Sequence, residues 1–148
     1  MNLLIIVIII GAIALFVLKN GNNGKKEKGA RTPITGKRPL TMNEQPMFIR
    51  LIEALPEYGV LAQVAFSSFM TAKGYATRNL FNRKVADFVV IDKNFNIVAI
   101  VELDDSSHKG QEDNDAERDA LVNEAGFRVI RYKRTPDINQ IRSDFGLR

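Results

Sequence analysis

Three carboxylates stand at the ends of otherwise apolar runs. Asp87 interrupts Val85-Ala-Asp-Phe-Val-Val90, and Glu102 and Asp104 close Ile97-Val-Ala-Ile-Val-Glu-Leu-Asp104. Two residues apart on a strand, Glu102 and Asp104 share a face, about 7 Å apart along the chain. A hairpin turning over Lys93 to Asn96 pairs Asp92 with Ile97 and sets Asp87 opposite Glu102, with Cβ atoms about 4.5–5.5 Å apart. Two ionised carboxylates ~5 Å apart repel by about 3 kcal/mol at an effective dielectric of about 20. A fold that keeps such a group at the mouth of its sheet needs a proton, a cation or a function for it. All-oxygen ligands suit a hard divalent ion, Mg²⁺ or Mn²⁺. The competing reading is structural: Asp104 and Asp105 begin a loop, and Glu102 pairs with Arg83, Arg118 or Arg131.

The elements that must position these acids follow from hydrophobic periodicity. A helix is expected from about Thr41–Asn43 to Leu55, with Phe48, Ile52 and Leu55 on its inner face, Leu51 beside them, and Pro56 and Gly59 ending it. Val60 to Phe66 reads as a strand. Residues 67–83 do not decide between loop and short helix. Lys84 to Ile91 and Ile97 to Asp104 are β-branched-rich and apolar on both faces, as central strands covered on two sides should be. Asp92-Lys93-Asn94-Phe95-Asn96 between them is turn chemistry. Next comes a helix from about Asp113 to Ala125, with Ala116, Ala120 and Leu121 inward and Gly126 at its C′ position. Phe127 to Lys133 is a fourth strand. Thr135 and Pro136 supply an N-cap and first residue for a last helix carrying Ile138, Ile141 and Phe145. The order is α-β-β-β-α-β-α, an α/β fold with a central sheet flanked by helices.

Composition narrows the chemistry. There is no Cys and one His in 148 residues, which excludes disulfide scaffolds, thiolate zinc sites, iron–sulfur clusters and Cys nucleophiles. Catalysis falls to carboxylates, Lys/Arg, hydroxyls and that His. The net charge of +4 is unevenly placed. Residues 1–43 carry seven Lys/Arg and one acid, whereas 44–148 carry fourteen basic and sixteen acidic residues. The high pI therefore belongs to the N-terminal part, and does not make the folded part a basic nucleic-acid binder.

From Leu3 to Leu18 no side chain is polar. As a helix that run is about 24 Å long, slightly short of a ~30 Å hydrocarbon core, and a snorkelling Lys19 can cover the difference. The alternative is a cleaved signal peptide with a small-x-small site at Ala12-Ile13-Ala14. No Lys or Arg precedes the run, and Lys19, Lys25, Lys26, Lys28, Arg31, Lys37 and Arg38 follow it. The positive-inside rule then reads residues 1–18 as a single-pass anchor in the cell (inner) membrane, N-terminus outside and C-terminal domain cytoplasmic. Residues 19–39, rich in Gly, Asn and Lys, read as a flexible basic linker, able to meet anionic lipid or nucleic acid. The folded domain is expected over 40–148.

Other residues carry two readings each. Glu44 closes a capping-box pattern with Thr41, although Pro46 fits best at N3, which moves the cap to Asn43. Gln63 can point from the first strand toward the acids. Arg118 and Asp119 form a local helix pair, with Arg118 placed to close over the acidic cluster. Arg128, Arg131, Lys133 and Arg134 lie along a strand, facing solvent or meeting phosphates. His108, four residues beyond Asp104, is a solvent-facing loop residue, a ligand or a proton shuttle.

As an ordered set these residues resemble a known family. A helix with an acid, a hairpin carrying Asp and Glu-x-Asp, then helix and strand, resembles the PD-(D/E)XK restriction-endonuclease-like nuclease core. More narrowly, Ala-Asp-Phe-Val-Val-Ile, Val-Glu-Leu-Asp-Asp-Ser-Ser-His, Asp-Ala-Glu-Arg-Asp-Ala-Leu and Ala-Gly-Phe-Arg-Val-Ile-Arg-Tyr look like the domain-of-unknown-function-2726 family. That family is similar to the very-short-patch-repair endonuclease branch. The resemblance spans about residues 40–135. It implies an α-β-β-β-α-β core with a mixed sheet, and Mg²⁺- or Mn²⁺-dependent phosphodiester hydrolysis of DNA or RNA. Asp87 matches the motif's Asp, Glu102 its Glu, and Glu44 the first-helix acid that joins the metal. His108 matches a trailing His. Asp104 stands where the superfamily usually has Lys; it becomes a further ligand, and Lys84 is the candidate to replace the missing Lys. The alternative is a catalytically inactive nuclease-fold domain that binds nucleic acid or a protein partner at the membrane.

Overall fold

In the computed structural model the described residues are 11–13, 15–16, 31–104 and 112–147, with side chains of the last stretch described from residue 116. The chain divides into two compact units, Met1–Gly36 and Lys37–Arg148. In the first, residues 11–13 and 15–16 are helical, with Ile13, Leu15 and Phe16 exposed. No helix among the described residues is long and apolar enough to cross a membrane. Most of the expected anchor over 1–18, and residues 19–30 of the expected linker, lie outside the described residues. Residues 31–38 have no regular structure.

The second unit is a mixed α/β fold: α1 (Glu44–Ala54), β1 (Gly59–Ala65), a 3₁₀ turn (Phe66–Ser68), α2 (Tyr75–Phe81), β2 (Val85–Ile91), β3 (Ile97–Leu103), α3 (Glu112–Glu124), β4 (Val129–Tyr132) and α4 (Ile138–Asp144). The four strands lie in the order β1-β2-β3-β4. The first three run antiparallel, and β4 joins β3 in parallel after the crossover through α3. Because β2 and β3 are apolar on both faces, each face is covered by helices. One core joins Met47, Leu51 and Leu55 with Ile141 of α4 against Phe88, Val90 and Val101. The other sets Phe66, Phe81 of α2 and Val122 of α3 against Ala86, Val89 and Ile100. Residues 67–83, undecided in sequence, hold a short helix that seats Phe81 in this second core.

Three expectations are corrected. The inner face of α1 is Met47, Leu51 and Ala54, continued by the buried Leu55, with Phe48 half-buried against the same core; of the expected residues, Ile52 turns outward and is 48% exposed. The flexible Met47 fills the sheet side in its place. On α3, Ala116 and Ala120 face solvent while Val122 is buried and Arg118, Asp119 and Leu121 are half-buried. Its inner face is polar because it lies over the strand ends that carry the acids. The cap of α4 is Asp137, whose carboxylate accepts from the Gln140 amide at 2.9 Å, rather than Thr135. A carboxylate there also meets the positive end of the helix dipole. Gly126 does take the left-handed conformation (φ +85°) expected after α3.

Candidate functional site

The register of the central pair runs Phe88↔Val101, Val89↔Ile100 and Val90↔Ala99, so its next step sets Asp87 opposite Glu102. The irregularity is at the turn end, where Ile91, rather than Asp92, pairs with Ile97. There Asp92 takes up the Asn94 and Asn96 amides, both at 2.8 Å, and tightens the loop. At the opposite end of the strands, Asp87 accepts the Leu103 amide at 3.0 Å. Glu102 is 3% exposed, the one buried charged residue among those described. Burial pushes its carboxyl up to about 8; the Arg118 guanidinium pulls it down, and the charge and hydrogen bond of neighbouring Asp87 add to the rise.

Of the three arginines expected as partners, Arg118 is the one that engages Glu102. Its Nη2 lies 2.6 and 2.7 Å from the two carboxylate oxygens and also donates to the Val85 carbonyl. The guanidinium lies over the Phe66 ring, 5.4 Å from its centroid. Arg118 and Asp119 are therefore not a local helix pair: they part company toward different acids and bases of the sheet. Asp119 is held in a fork by Arg131, through Nε at 2.8 Å and Nη2 at 2.7 Å, and Arg131 Nη1 reaches Asp104 at 2.7 Å. Arg131 is thus a half-buried bridge rather than part of a solvated edge. The role of Phe66, and the Arg131 bridge, were missed in the sequence. Both depend on elements that meet through a crossover, and no local pattern encodes that.

The expected trio is only partly assembled. Asp87 and Glu102 meet; Asp104, on the same face, is tied to Arg131. The cap position is Asn43, which sets Pro46 at N3 as expected, and Glu44 makes the capping-box bonds with Thr41 as well: the Thr41 amide donates to its Oε2 at 2.6 Å, and its own amide donates to Thr41 Oγ1 at 3.3 Å. Its second oxygen accepts the Gln63 amide group at 2.9 Å. Gln63 has a positive φ of 54° and interrupts the β1–β2 ladder between Ala62↔Phe88 and Val64↔Ala86, at the position facing Asp87. Glu44 is thereby brought to Asp87's neighbourhood through Gln63. Lys84 precedes β2 at the acid end; its carbonyl accepts the Phe66 amide at 3.0 Å. His108 lies outside the described residues. Among the described residues, no group of three His, Cys, Asp or Glu is arranged to hold a metal ion.

The profile of a family described as protein of unknown function, DUF2726, matches residues 37–147, three quarters of the chain and all but the last residue of its second unit. The chain belongs to the DUF2726 family. An uncharacterized protein of Haemophilus influenzae is 33% identical over 95 residues, covering 60% of this chain and 49% of that protein. The chain thus spans about half the length of this curated relative. No solved structure matches. In this DUF2726 member the matched span takes in Glu44, Lys84, Asp87, Glu102, Asp104 and His108. What the arrangement offers chemically is an acid pair at a strand end, Glu102 buried and Asp87 half-buried, with a guanidinium laid on Glu102.

Proposed function

We propose that the chain is a membrane-anchored, Mg²⁺-dependent phosphodiester hydrolase of nuclease type, acting on DNA or RNA, built on the PD-(D/E)XK restriction-endonuclease-like plan. The observation that carries this reading is Glu102, buried at the end of a central strand and set across from Asp87. An apolar residue of similar volume would serve stability as well or better. The donor set suits the ion: Asp87 and Glu102 offer only carboxylate oxygens, and a cationic group already rests on both oxygens of Glu102. Asp87 and Glu102 would hold it. Asp104 and Glu44 would join by giving up Arg131 and Gln63, and His108, four positions beyond Asp104 in the sequence, is a further candidate.

A divalent ion held there supplies charge for the phosphodiester oxygens and makes a water more acidic. The chain's own groups do the positioning. The Leu103 amide fixes one Asp87 oxygen. Lys84, at the same end of β2, sets a positive charge beside the reacting phosphate, the part the superfamily gives to the Lys replaced by Asp104. The apolar run over 3–18 would hold the domain at the cytoplasmic face of the inner membrane. The basic linker would draw a polyanion toward a domain that is itself slightly acidic.

One observation favours a second reading. Arg118 lies on Glu102 and Arg131 on Asp104, as in a catalytically silent domain that binds nucleic acid or a protein partner at the membrane. Incubating the full chain, in mild detergent, with single- and double-stranded DNA and RNA in Mg²⁺, Mn²⁺ or EDTA separates the two. The nuclease reading predicts metal-dependent cleavage that disappears in Glu102→Gln. Cleavage that persists in that variant, or no cleavage together with no metal binding, rejects it.

A further inference from the structure

The two arginines over the acids bind their carboxylates in different ways. Arg131 grips Asp119 as a fork, Nε to one oxygen and Nη2 to the other, the arrangement of a settled guanidinium–carboxylate pair. Arg118 instead offers a single nitrogen, Nη2, which sits almost equally far from both oxygens of Glu102, at 2.6 and 2.7 Å. The same nitrogen also serves the Val85 carbonyl, while Nε is buried without a hydrogen-bond partner. A guanidinium has five donors; here one nitrogen meets three acceptors and another meets none. The point astride both oxygens of a carboxylate is where a cation binds in bidentate fashion.

We propose that Arg118 holds the cation position of the Asp87–Glu102 pair, so that Arg118 and a divalent ion exclude one another there and Arg118 sets the metal affinity. The inference rests on the metal-dependent reading above and adds its regulation: loading requires the guanidinium to leave Glu102. Phe66 gives that guanidinium a face to rest on. Helix α3 does not depend on Arg118 for its place, because Asp119 holds Arg131 and Val122 is buried in the core beneath it.

Mn²⁺ titration calorimetry on the full chain in mild detergent tests this, with wild type, Arg118→Gln, Arg118→Lys and the double variant Glu102→Gln/Arg118→Gln. Arg118→Gln should bind Mn²⁺ about tenfold tighter than wild type or better, a change of about 1.4 kcal/mol. Arg118→Lys, which keeps a smaller and more mobile cation, should fall between them. The double variant should lose the gain. Binding by wild type with equal or weaker binding by Arg118→Gln overturns the role of Arg118 and leaves the metal site standing. Thermal melting of each variant is recorded first. If Arg118→Gln does not melt cooperatively, Arg118→Lys decides, and binding no tighter than wild type overturns the proposal. No binding by any folded variant overturns the metal site and, with it, the role of Arg118.

Discussion

Glu102→Gln isolates the electrostatic strain at the centre of this fold. The folded-state pKa of about 8 lies above the 4.5 of a free glutamate, chiefly because of burial. Below about pH 4.5 the acid is protonated in both states and contributes no penalty. As pH rises, the unfolded chain ionises first, so stability falls until the folded state ionises near pH 8, and is level beyond. At 1.36 kcal/mol per pKa unit, the loss is about 3 kcal/mol at pH 7 and about 5 kcal/mol above pH 8. Glutamine keeps the shape of the protonated acid and an acceptor for Arg118, and does not titrate. The variant should therefore melt close to wild type at pH 5 and above it at pH 8.5. At about 4–8 °C per kcal/mol for a domain near 100 residues, the gap should open by on the order of 10 °C or more. Circular dichroism melts of both proteins at pH 5, 7 and 8.5 measure it. A gap that stays constant, or that turns in favour of wild type as pH rises, refutes the reasoning. It would mean that Arg118 keeps Glu102 ionised at a net gain.

Two further predictions concern the surroundings of the site. Arg131→Met leaves Asp104 and Asp119 without their shared cation; because all three side chains are partly exposed, the expected loss is about 1–3 kcal/mol, read as a lower melting temperature at pH 7. Gln63→Gly and Gln63→Ala both lose the bond to Glu44, but only glycine is at ease at a φ of 54°, so the glycine variant should be about 1 kcal/mol more stable than the alanine one. Equal stabilities would show that Gln63 stores no backbone strain.

Much of this architecture is legible in the sequence, and the exceptions have physical causes. The strands around Asp87 and Glu102 declare themselves because burial on both faces demands unbroken apolar runs. Counting back from a four-residue loop sets Asp87 opposite Glu102, and the body of the β2–β3 ladder agrees, although the pairing slips by one residue between Val90 and Ile91 at the turn. The registry of β4 cannot be counted that way: it is set by how α3 packs, so the adjacency of Arg131 to Glu102 in the parallel ladder has no sequence signal. The same limit hid the inner face of α3. Periodicity looks for apolar stripes, and this helix turns Arg118 inward toward Glu102 and Asp119 inward toward Arg131. On α1, Met47 and Phe48 both reach the core, and packing rather than pattern leaves Ile52 outside it. Within the candidate site, the acids are visible as polar interruptions, whereas their counter-charges come from elements distant in sequence.

That division has a consequence for how the domain opens. The β2–β3 hairpin taken alone would leave Glu102 in water, where an ionised carboxylate costs nothing. The helix α3 that carries Arg118 also helps to shut the acid in, and β4, which supplies Arg131, lies along the other side of the same strand. Shielding and neutralisation thus ride on the same pieces of chain. A local unfolding event that lifts α3 withdraws the guanidinium and admits solvent in one step, so the acid pair never passes through a state that is both dry and uncompensated. The amide protons of α3 and the ionisation of Glu102 report the same opening, and hydrogen exchange across this helix should quicken as pH rises through the titration of that single buried acid.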